Sequence, residues 1–257
     1  VVCRRQRQMC IRDRDKLGLS KDKLMAMENF FKEKYIKNGK LAGIQTLIAR
    51  KGKVVHFEST GLRDVENNKK IEKDTIFRIY SMTKPITSVA LMQLFEQGLF
   101  QLADPVGKFL PEFKNPKVFV SGSYPHFMTR PADREISIRD LLTHTAGLTY
   151  GFHYRTNIDH AYRKVWSGPR GDNTDFSFPP LDLENFSQSI ASLPLEFSPG
   201  DKWNYSVATD ICGRLVEVLS GMTLDDYFKK YIFKPLKMKD TGSVSYTHLR
   251  AHETDYY

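Results

Sequence analysis

The apolar positions of this chain follow one rhythm up to about residue 80 and another beyond it. Between residues 21 and 37 they recur at helical spacing (Leu24, Met27, Phe30, Phe31, Tyr35), and Asn38-Gly39 supplies a C-terminal stop. Gly43–Arg50 and Lys53–Thr60 are short β-rich runs joined by Lys51-Gly52, which predicts a hairpin. Gly61–Asp74 is polar and charged and reads as a connecting loop, followed by a brief strand-like run at Ile76, Phe77 and Ile79. From Ser81 to about Gln97 the rhythm is helical. Ile86, Val89, Ala90, Leu91, Met92, Leu94 and Phe95 occupy most of the circumference, which predicts a helix buried centrally and closed by Gly98.

Farther on, Asp104-Pro105 and Leu110-Pro111 punctuate a short stretch before a loop-rich section, Asn115–Arg134. Ser137-Ile138-Arg139-Asp140 has the form of a capping box and opens a helix through Thr143. Thr149–Pro180 is aromatic and rich in Gly and Pro, with little periodicity. Leu183–Leu193 and Ser206–Leu219 read as helices, the second stopped by Gly221, and Thr223-Leu224-Asp225-Asp226 starts another that runs to about Lys234. No internal repeat or low-complexity tract interrupts this order. Helix and loop dominate after the hairpin, and a two-stranded hairpin does not stand alone, so it calls for further sheet partners.

Composition narrows the class. A chain of 257 residues with 40% hydrophobic content can bury one large core or two smaller ones. No apolar run approaches the roughly 18–20 residues of a membrane span, and 27% charged residues with a mean hydropathy of -0.44 give the balance of a soluble globular protein. The net charge of +9 raises the question of nucleic acid, but Lys and Arg alternate with acids and form no stripe, so no nucleic-acid partner is expected.

The two ends read as foreign. Gln8-Met9-Cys10-Ile11-Arg12-Asp13-Arg14 back-translates to CAGATGTGTATAAGAGACAG, and one frame of its reverse complement encodes Ser243-Val244-Ser245-Tyr246-Thr247-His248-Leu249. An inverted repeat of this kind resembles a transposon-type adapter read through as protein, so residues 1–14 and 243–257 are set aside. That removes Cys3 and Cys10, leaves Cys212 as the single cysteine, and dismisses the helically spaced His248 and His252. The remainder is still basic, contains no disulfide framework or metal-type cysteine spacing, and leaves the compartment open.

Chemistry concentrates at Ser81-Met82-Thr83-Lys84-Pro85-Ile86-Thr87, where a strand-like run meets the buried helix. Residues three apart share a helix face, so the Lys84 amine can reach the Ser81 oxygen and act as the proton acceptor that a serine nucleophile needs. The plain alternative is an N-cap serine with a surface lysine in the first turn. Ser20-Lys21-Asp22-Lys23 has the same spacing but lies among charges, and it is given no chemical role. Tyr205 shifts the balance toward chemistry. It lies in Phe197-Ser198-Pro199-Gly200-Asp201-Lys202-Trp203-Asn204-Tyr205-Ser206-Val207, a turn leading into a helix, and a phenol beside an ammonium can serve as a general base.

Together, Ser81-Met82-Thr83-Lys84, Tyr205-Ser206-Val207, Leu141-Leu142-Thr143-His144-Thr145-Ala146-Gly147-Leu148 and Phe197–Tyr205 resemble the serine β-lactamase-related superfamily. This superfamily includes class C β-lactamases, D-alanyl-D-alanine carboxypeptidases and family VIII carboxylesterases. The resemblance spans essentially Leu24–Gly242. It implies an α+β fold of the β-lactamase/transpeptidase type, with an antiparallel sheet, flanking helices and a helical subdomain at about 98–200. The active site would lie in a cleft between sheet and subdomain, with Ser81 as nucleophile, Lys84 assisting its deprotonation and Tyr205 passing the proton to the leaving group; no metal or cofactor is implied. Residues 15–242 would form part of such a domain.

Two departures qualify this picture. The family's Tyr-x-Asn has Val207 in third place, and valine cannot bind an amide carbonyl, so plain esters are favoured over β-lactams or peptides. The third motif, Lys/His-x-Gly on a strand, is absent. Loss of the oxyanion donor it brings would cost about 100–1000-fold in rate, and the sheet would be incomplete, so the chain as written is expected to be poorly stable and nearly inactive. The expected activity is ester hydrolysis through an acyl-Ser81 intermediate on a small-molecule substrate. The alternatives are a β-lactamase or D-Ala-D-Ala peptidase and, in another class, a non-catalytic penicillin-binding-like relative. Val207, Trp203 and Tyr150 are the candidates for substrate contact. Tyr124, Phe127, Tyr150, Phe152, Tyr154, Tyr162, Trp166, Phe176 and Phe178 either line an acyl pocket or form ordinary core, and His144 is expected to be structural.

Overall fold

The computed structural model describes residues 17–167 and 182–243, which divide into two compact units, one ending at Arg78 and the other running from Ile79 to Ser243. Cys3, Cys10, Phe176, Phe178, His248, His252, the Trp166 side chain and most of the two terminal segments lie outside the described residues.

In the first unit, helix α1 (Lys21–Phe31) runs on through a π-type turn, Lys32–Ile36, as the apolar spacing predicts. Its N-cap is Ser20, whose hydroxyl accepts the Lys23 amide at 3.4 Å. Strands β1 (Gly43–Arg50) and β2 (Lys53–Asp64) pair antiparallel from Gly43↔Gly61 to Arg50↔Lys53. Lys51 and Gly52 both adopt positive φ, at 50° and 72°, the left-handed pair that a tight two-residue hairpin turn requires.

The expected loop at 61–74 is only partly a loop. β2 continues to Asp64 and pairs with β3 (Lys69–Lys70), giving a three-stranded sheet in the order β1-β2-β3. The Asp64 carboxylate accepts the Asn67 amide at 3.0 Å and its side-chain NH2 at 2.8 Å, so polar side chains that suggest a loop here close a turn. Helix and sheet are joined by a polar contact in which His56, almost fully buried, meets Glu28 at 2.7 Å and Thr46 at 2.9 Å.

The second unit is built around α2 (Thr83–Glu96) and α6 (Ala208–Ser220). Thr87, Ala90, Leu91 and Leu94 are the buried positions of α2, and their i, i+3, i+4, i+7 spacing defines a single face toward α6. The expectation of a helix buried on nearly all sides is therefore corrected, since Val89 on the opposite side is half exposed. Gly213 permits the close approach of α6, because a Cβ there would meet Leu224 Cδ2 at 2.9 Å and Leu183 Cδ1 at 3.4 Å. Gly221 takes the left-handed C-cap position, donating its amide to the Glu217 carbonyl at 2.9 Å. Shorter helices α3 (Ile138–Leu142), α5 (Leu183–Ala191) and α7 (Leu224–Phe228), the last continued by a turn at Lys229–Phe233, complete the expected set.

Two elements were not expected. Asn115–Arg134 contains a hairpin, β4 (Lys117–Ser123) with β5 (His126–Pro131). Its support is non-local: the Phe119 amide donates to the Leu195 carbonyl at 2.9 Å, and the Leu195 amide donates to the Lys117 carbonyl at 2.8 Å. The aromatic stretch contains helix α4 (Asn157–Ser167), which buries Ile158, Ala161 and Tyr162 at helical spacing. Asp159 tethers its start by accepting the Arg155 and Thr156 amides. The aromatic neighbours on both sides obscured this period in the sequence.

Candidate active site

A 3₁₀ turn, Tyr80–Met82, delivers Ser81 to the start of α2, with the Met82 amide bonded to the Ile79 carbonyl at 2.9 Å. Tyr80 sits at φ 43°, a left-handed conformation that costs a non-glycine residue energy and that often marks a functional turn. Ser81 is exposed, just ahead of a helix N-terminus whose dipole favours developing negative charge. Lys84, one turn on, donates from Nζ to Ser81 Oγ at 3.2 Å. The Tyr205 hydroxyl, from the segment just before α6, donates to the same oxygen at 2.7 Å. The alcohol, amine and phenol singled out in the sequence thus meet at one atom.

Tyr205 is held by two segments that brace each other. Residues 144–149 and 196–207 are joined by amide-to-carbonyl bonds from Glu196 to Gly147 (2.8 Å), Gly200 to Thr145 (2.8 Å), Asn204 to His144 (2.9 Å) and Val207 to Thr149 (3.3 Å). Gly147, at φ 81°, is required here because a Cβ would lie 2.3 Å from the Phe197 carbonyl oxygen. Asn204 is buried, donates to the Leu148 carbonyl at 2.9 Å and accepts from Arg155 at 2.8 Å. His144 packs its ring 5.0 Å from that of Tyr205 and accepts the Ser206 amide on Nδ1 at 3.3 Å. Burial, with the Lys84 charge adding to it, lowers its pKa. A neutral ring whose Nδ1 accepts from the backbone serves as a brace for Tyr205.

Electrostatics around the three groups are layered. Burial alone would push the Tyr205 phenol up, but bonds to Lys84 and Ser81 and the Lys84 charge outweigh it and hold its pKa below the ordinary phenol value. The Lys84 ammonium lies 4.7 Å from the Tyr205 ring centroid and 5.5 Å from that of Tyr150, within cation–π range of both. Tyr150 is buried against Phe152 and Tyr205, and its phenol is pushed far up, by burial first and then by the nearby Asp210 charge. Asp210 lies in the first turn of α6, and burial of its carboxyl raises the pKa to about 6 against the opposing pull of Lys84.

The three candidate contact residues diverge. Trp203 is two-thirds exposed, with its ring stacked 6.5 Å from Tyr205. Tyr150 is buried beside Lys84. Val207 is fully buried in the core with Ala208 and Ile211, so its side chain offers no exposed surface to a ligand. Its proposed contact is corrected for that reason: the residue opens α6, and the helix turns its side chain inward. Of the other aromatics, Tyr162 is core and Phe127 packs on Phe119, while Phe152 and Tyr154 keep exposed surface. Sequence reasoning missed Asp210. An acid flanked by Ala208, Thr209, Ile211 and Cys212 was the available signal, but an acid in a first helical turn also has an ordinary dipole role. Among the described residues, no group of three or more His, Cys, Asp or Glu side chains is placed to hold a metal ion, and no helix is long and apolar enough to cross a membrane.

The family model described as Beta-lactamase matches residues 25–257. The chain is 34% identical over 210 residues to Esterase EstB of Burkholderia gladioli, an alignment covering 82% of this chain and 49% of that one. Among solved structures it is similar to EstCE1, described as a hydrolase with promiscuous acyltransferase activity (30% identity, TM-score 0.66, 81% of this chain and 50% of that one). It is also similar to simvastatin synthase (LovD) from Aspergillus terreus (28% identity, TM-score 0.67, 85% and 54%). The chain belongs to the beta-lactamase family, whose fold it shares and whose members include esterases and acyltransferases. It spans about half the length of the curated relatives it matches.

Proposed function

We propose that this chain carries the nucleophilic centre of a serine esterase. The observation that supports this reading best is the convergence on Ser81 Oγ of Lys84 Nζ at 3.2 Å and the Tyr205 hydroxyl at 2.7 Å. Both lie within the reach required of a nucleophile and its base. Ionised beside the Lys84 ammonium, Tyr205 accepts the serine proton as Ser81 Oγ bonds to the ester carbonyl carbon. It then returns that proton to the departing alkoxide, leaving acyl-Ser81. Water repeats the sequence and releases the acid. Similarity to Esterase EstB favours a plain carboxylic ester over a β-lactam or peptide.

A fluorophosphonate probe tests the reading. Stoichiometric phosphonylation of Ser81, located by peptide mass and absent in Ser81→Ala, is the expected result. Turnover of p-nitrophenyl butyrate is expected to exceed that of nitrocefin. An unlabelled but folded chain points instead to a non-catalytic relative. Transfer of the acyl group to an alcohol is a second reading, favoured by the acyltransferase named among the structural neighbours. Its mark is ester product formed when a primary alcohol competes with water.

A further inference from the structure

We propose that Trp203 is a specificity-determining residue for this site: its exposed indole receives the alcohol half of the ester, and the substrates it favours are esters of flat, aromatic alcohols. The inference rests on the reading of Ser81, Lys84 and Tyr205 as an acyl-transfer centre, and adds to it the side of the serine on which the leaving group sits.

The Tyr205 hydroxyl stands 2.7 Å from Ser81 Oγ, and in acylation it hands its proton to the ester oxygen as that oxygen's bond to the carbonyl carbon breaks. The step leaves acyl-Ser81 and a neutral alcohol, so the alcohol half lies on the Tyr205 side of the serine. Of the rings packed against Tyr205, Tyr150 is buried and His144 is partly buried, whereas Trp203 is two-thirds exposed. Its indole stacks beside Tyr205, with centroids 6.5 Å apart and planes inclined by 29°. Phe152, also partly exposed, stacks instead on Tyr150, at 4.6 Å. A lone exposed tryptophan is an ordinary surface feature. This one is held in place. His144 meets its ring edge-on at 6.2 Å. The next residue, Asn204, is buried, and its backbone amide and side chain donate to the carbonyls of His144 and Leu148, each at 2.9 Å. An indole already fixed loses little freedom when a ligand settles on it. Its broad, uncharged face accepts a flat ring in an offset stack, and a branched aliphatic alcohol gains only part of that contact.

The test compares phenyl butyrate with hexafluoroisopropyl butyrate, two esters that form the same butyryl-Ser81 and release alcohols of similar acidity. Because the acyl half is shared, the ratio of their kcat/KM values reads the alcohol side alone. The expected result is a ratio that favours the phenyl ester and falls by about three- to tenfold in Trp203→Leu, chiefly through KM. Trp203→Phe restores an aromatic face and is expected to keep most of the preference. An unchanged ratio in folded Trp203→Leu, including an equal loss on both esters, overturns the inference. Binding is read apart from turnover in the parent chain labelled with 5-fluorotryptophan, the Trp203 resonance being assigned by its loss in Trp203→Phe. Addition of 2-naphthol is expected to shift that resonance saturably, and cyclohexanol to leave it in place. This measurement decides the matter should Trp203→Leu fail to fold. A resonance that ignores 2-naphthol overturns the inference even where fluorophosphonate labels Ser81. A resonance that shifts in a chain whose Ser81 never labels overturns the esterase reading, and with it the role in specificity, leaving only an indole that binds aryl alcohols.

Discussion

The chain contains the tetrapeptide pattern Ser-x-x-Lys twice, and the two copies have different fates. At Ser20 the hydroxyl accepts the Lys23 backbone amide, so serine caps a helix and the lysine side chain has no part in the bond. At Ser81 the hydroxyl oxygen accepts from the Lys84 side chain, and a second donor, Tyr205, arrives from 124 residues away. Local spacing is identical. What differs is the turn that delivers the serine, a strained 3₁₀ segment in place of an extended N-cap, and the presence of a braced partner segment. A motif of two residues specifies proximity; chemistry comes from what the rest of the fold brings to it.

The sharpest test of this contrast is to delete each hydroxyl. Ser81→Ala is expected to abolish fluorophosphonate labelling and to reduce ester hydrolysis by about a thousandfold or more, because no other group can form the acyl intermediate. The same substitution at Ser20 is expected to leave labelling stoichiometry unchanged. Equal losses in the two variants would show that the copies are not chemically distinct.

Removing the distant partner comes next. Tyr205→Phe keeps the ring contacts with His144 and Tyr150 but loses the proton carrier, and a fall of about 10²–10⁴-fold in acylation rate is expected. The pH profile sharpens the point. Since Tyr205 is held below the ordinary phenol pKa, the rate is expected to rise with pH through a value below about 10. That limb is expected to vanish in Tyr205→Phe, and a limb that survives the substitution assigns the base to another group.

A third measurement concerns the scaffold around the second copy. Arg134 holds Asp140 through two bonds, of 2.6 and 2.9 Å, while Asp140 also closes the Ser137 capping box and accepts the Thr145 hydroxyl next to His144. Burial works against the Asp140 charge, but these bonds outweigh it and lower its pKa to about 2. A depressed carboxylate stabilises the fold above its unfolded value and loses that contribution as pH falls through its folded one. Unfolding free energy should therefore drop by roughly 2 kcal/mol between about pH 4 and pH 2. Asp140→Asn is expected to lower stability by a similar amount at neutral pH and to flatten that acid slope in urea titrations; an unchanged slope would assign the acid sensitivity elsewhere.

The parts of the fold that were legible in the sequence are those whose causes are local. The Ser137 capping box, the Gly221 C-cap and the Lys51-Gly52 turn each place the required atoms within a few residues, and all three appear as read. The β4–β5 hairpin escaped because part of its support is the backbone of Leu195, far along the chain. The face of α2 was misjudged because apolar residues on both sides of a helix do not say which side a neighbour will cover. Within the site, Ser81, Lys84 and Tyr205 carry distinctive chemistry and could be named. Val207 was placed at the ligand by motif position, which says nothing about which way a helix turns its side chain.

The smallest effect belongs to the first copy. As an N-cap, Ser20 satisfies one of the amide donors that the start of a helix leaves unpaired, and its replacement by alanine is expected to cost about 0.5–2 kcal/mol of stability. The 3.4 Å separation from the Lys23 amide is long for such a bond and points to the lower half of that range. Asp22, in the first turn, supports the same helix end through the dipole and would persist in the variant. Urea titration of Ser20→Ala against Ser20→Asp separates capping from other causes, since aspartate restores an acceptor without restoring the hydroxyl. Recovery of stability in Ser20→Asp identifies this Ser-x-x-Lys as a cap; equal instability of both variants would mean that the hydroxyl itself has another use.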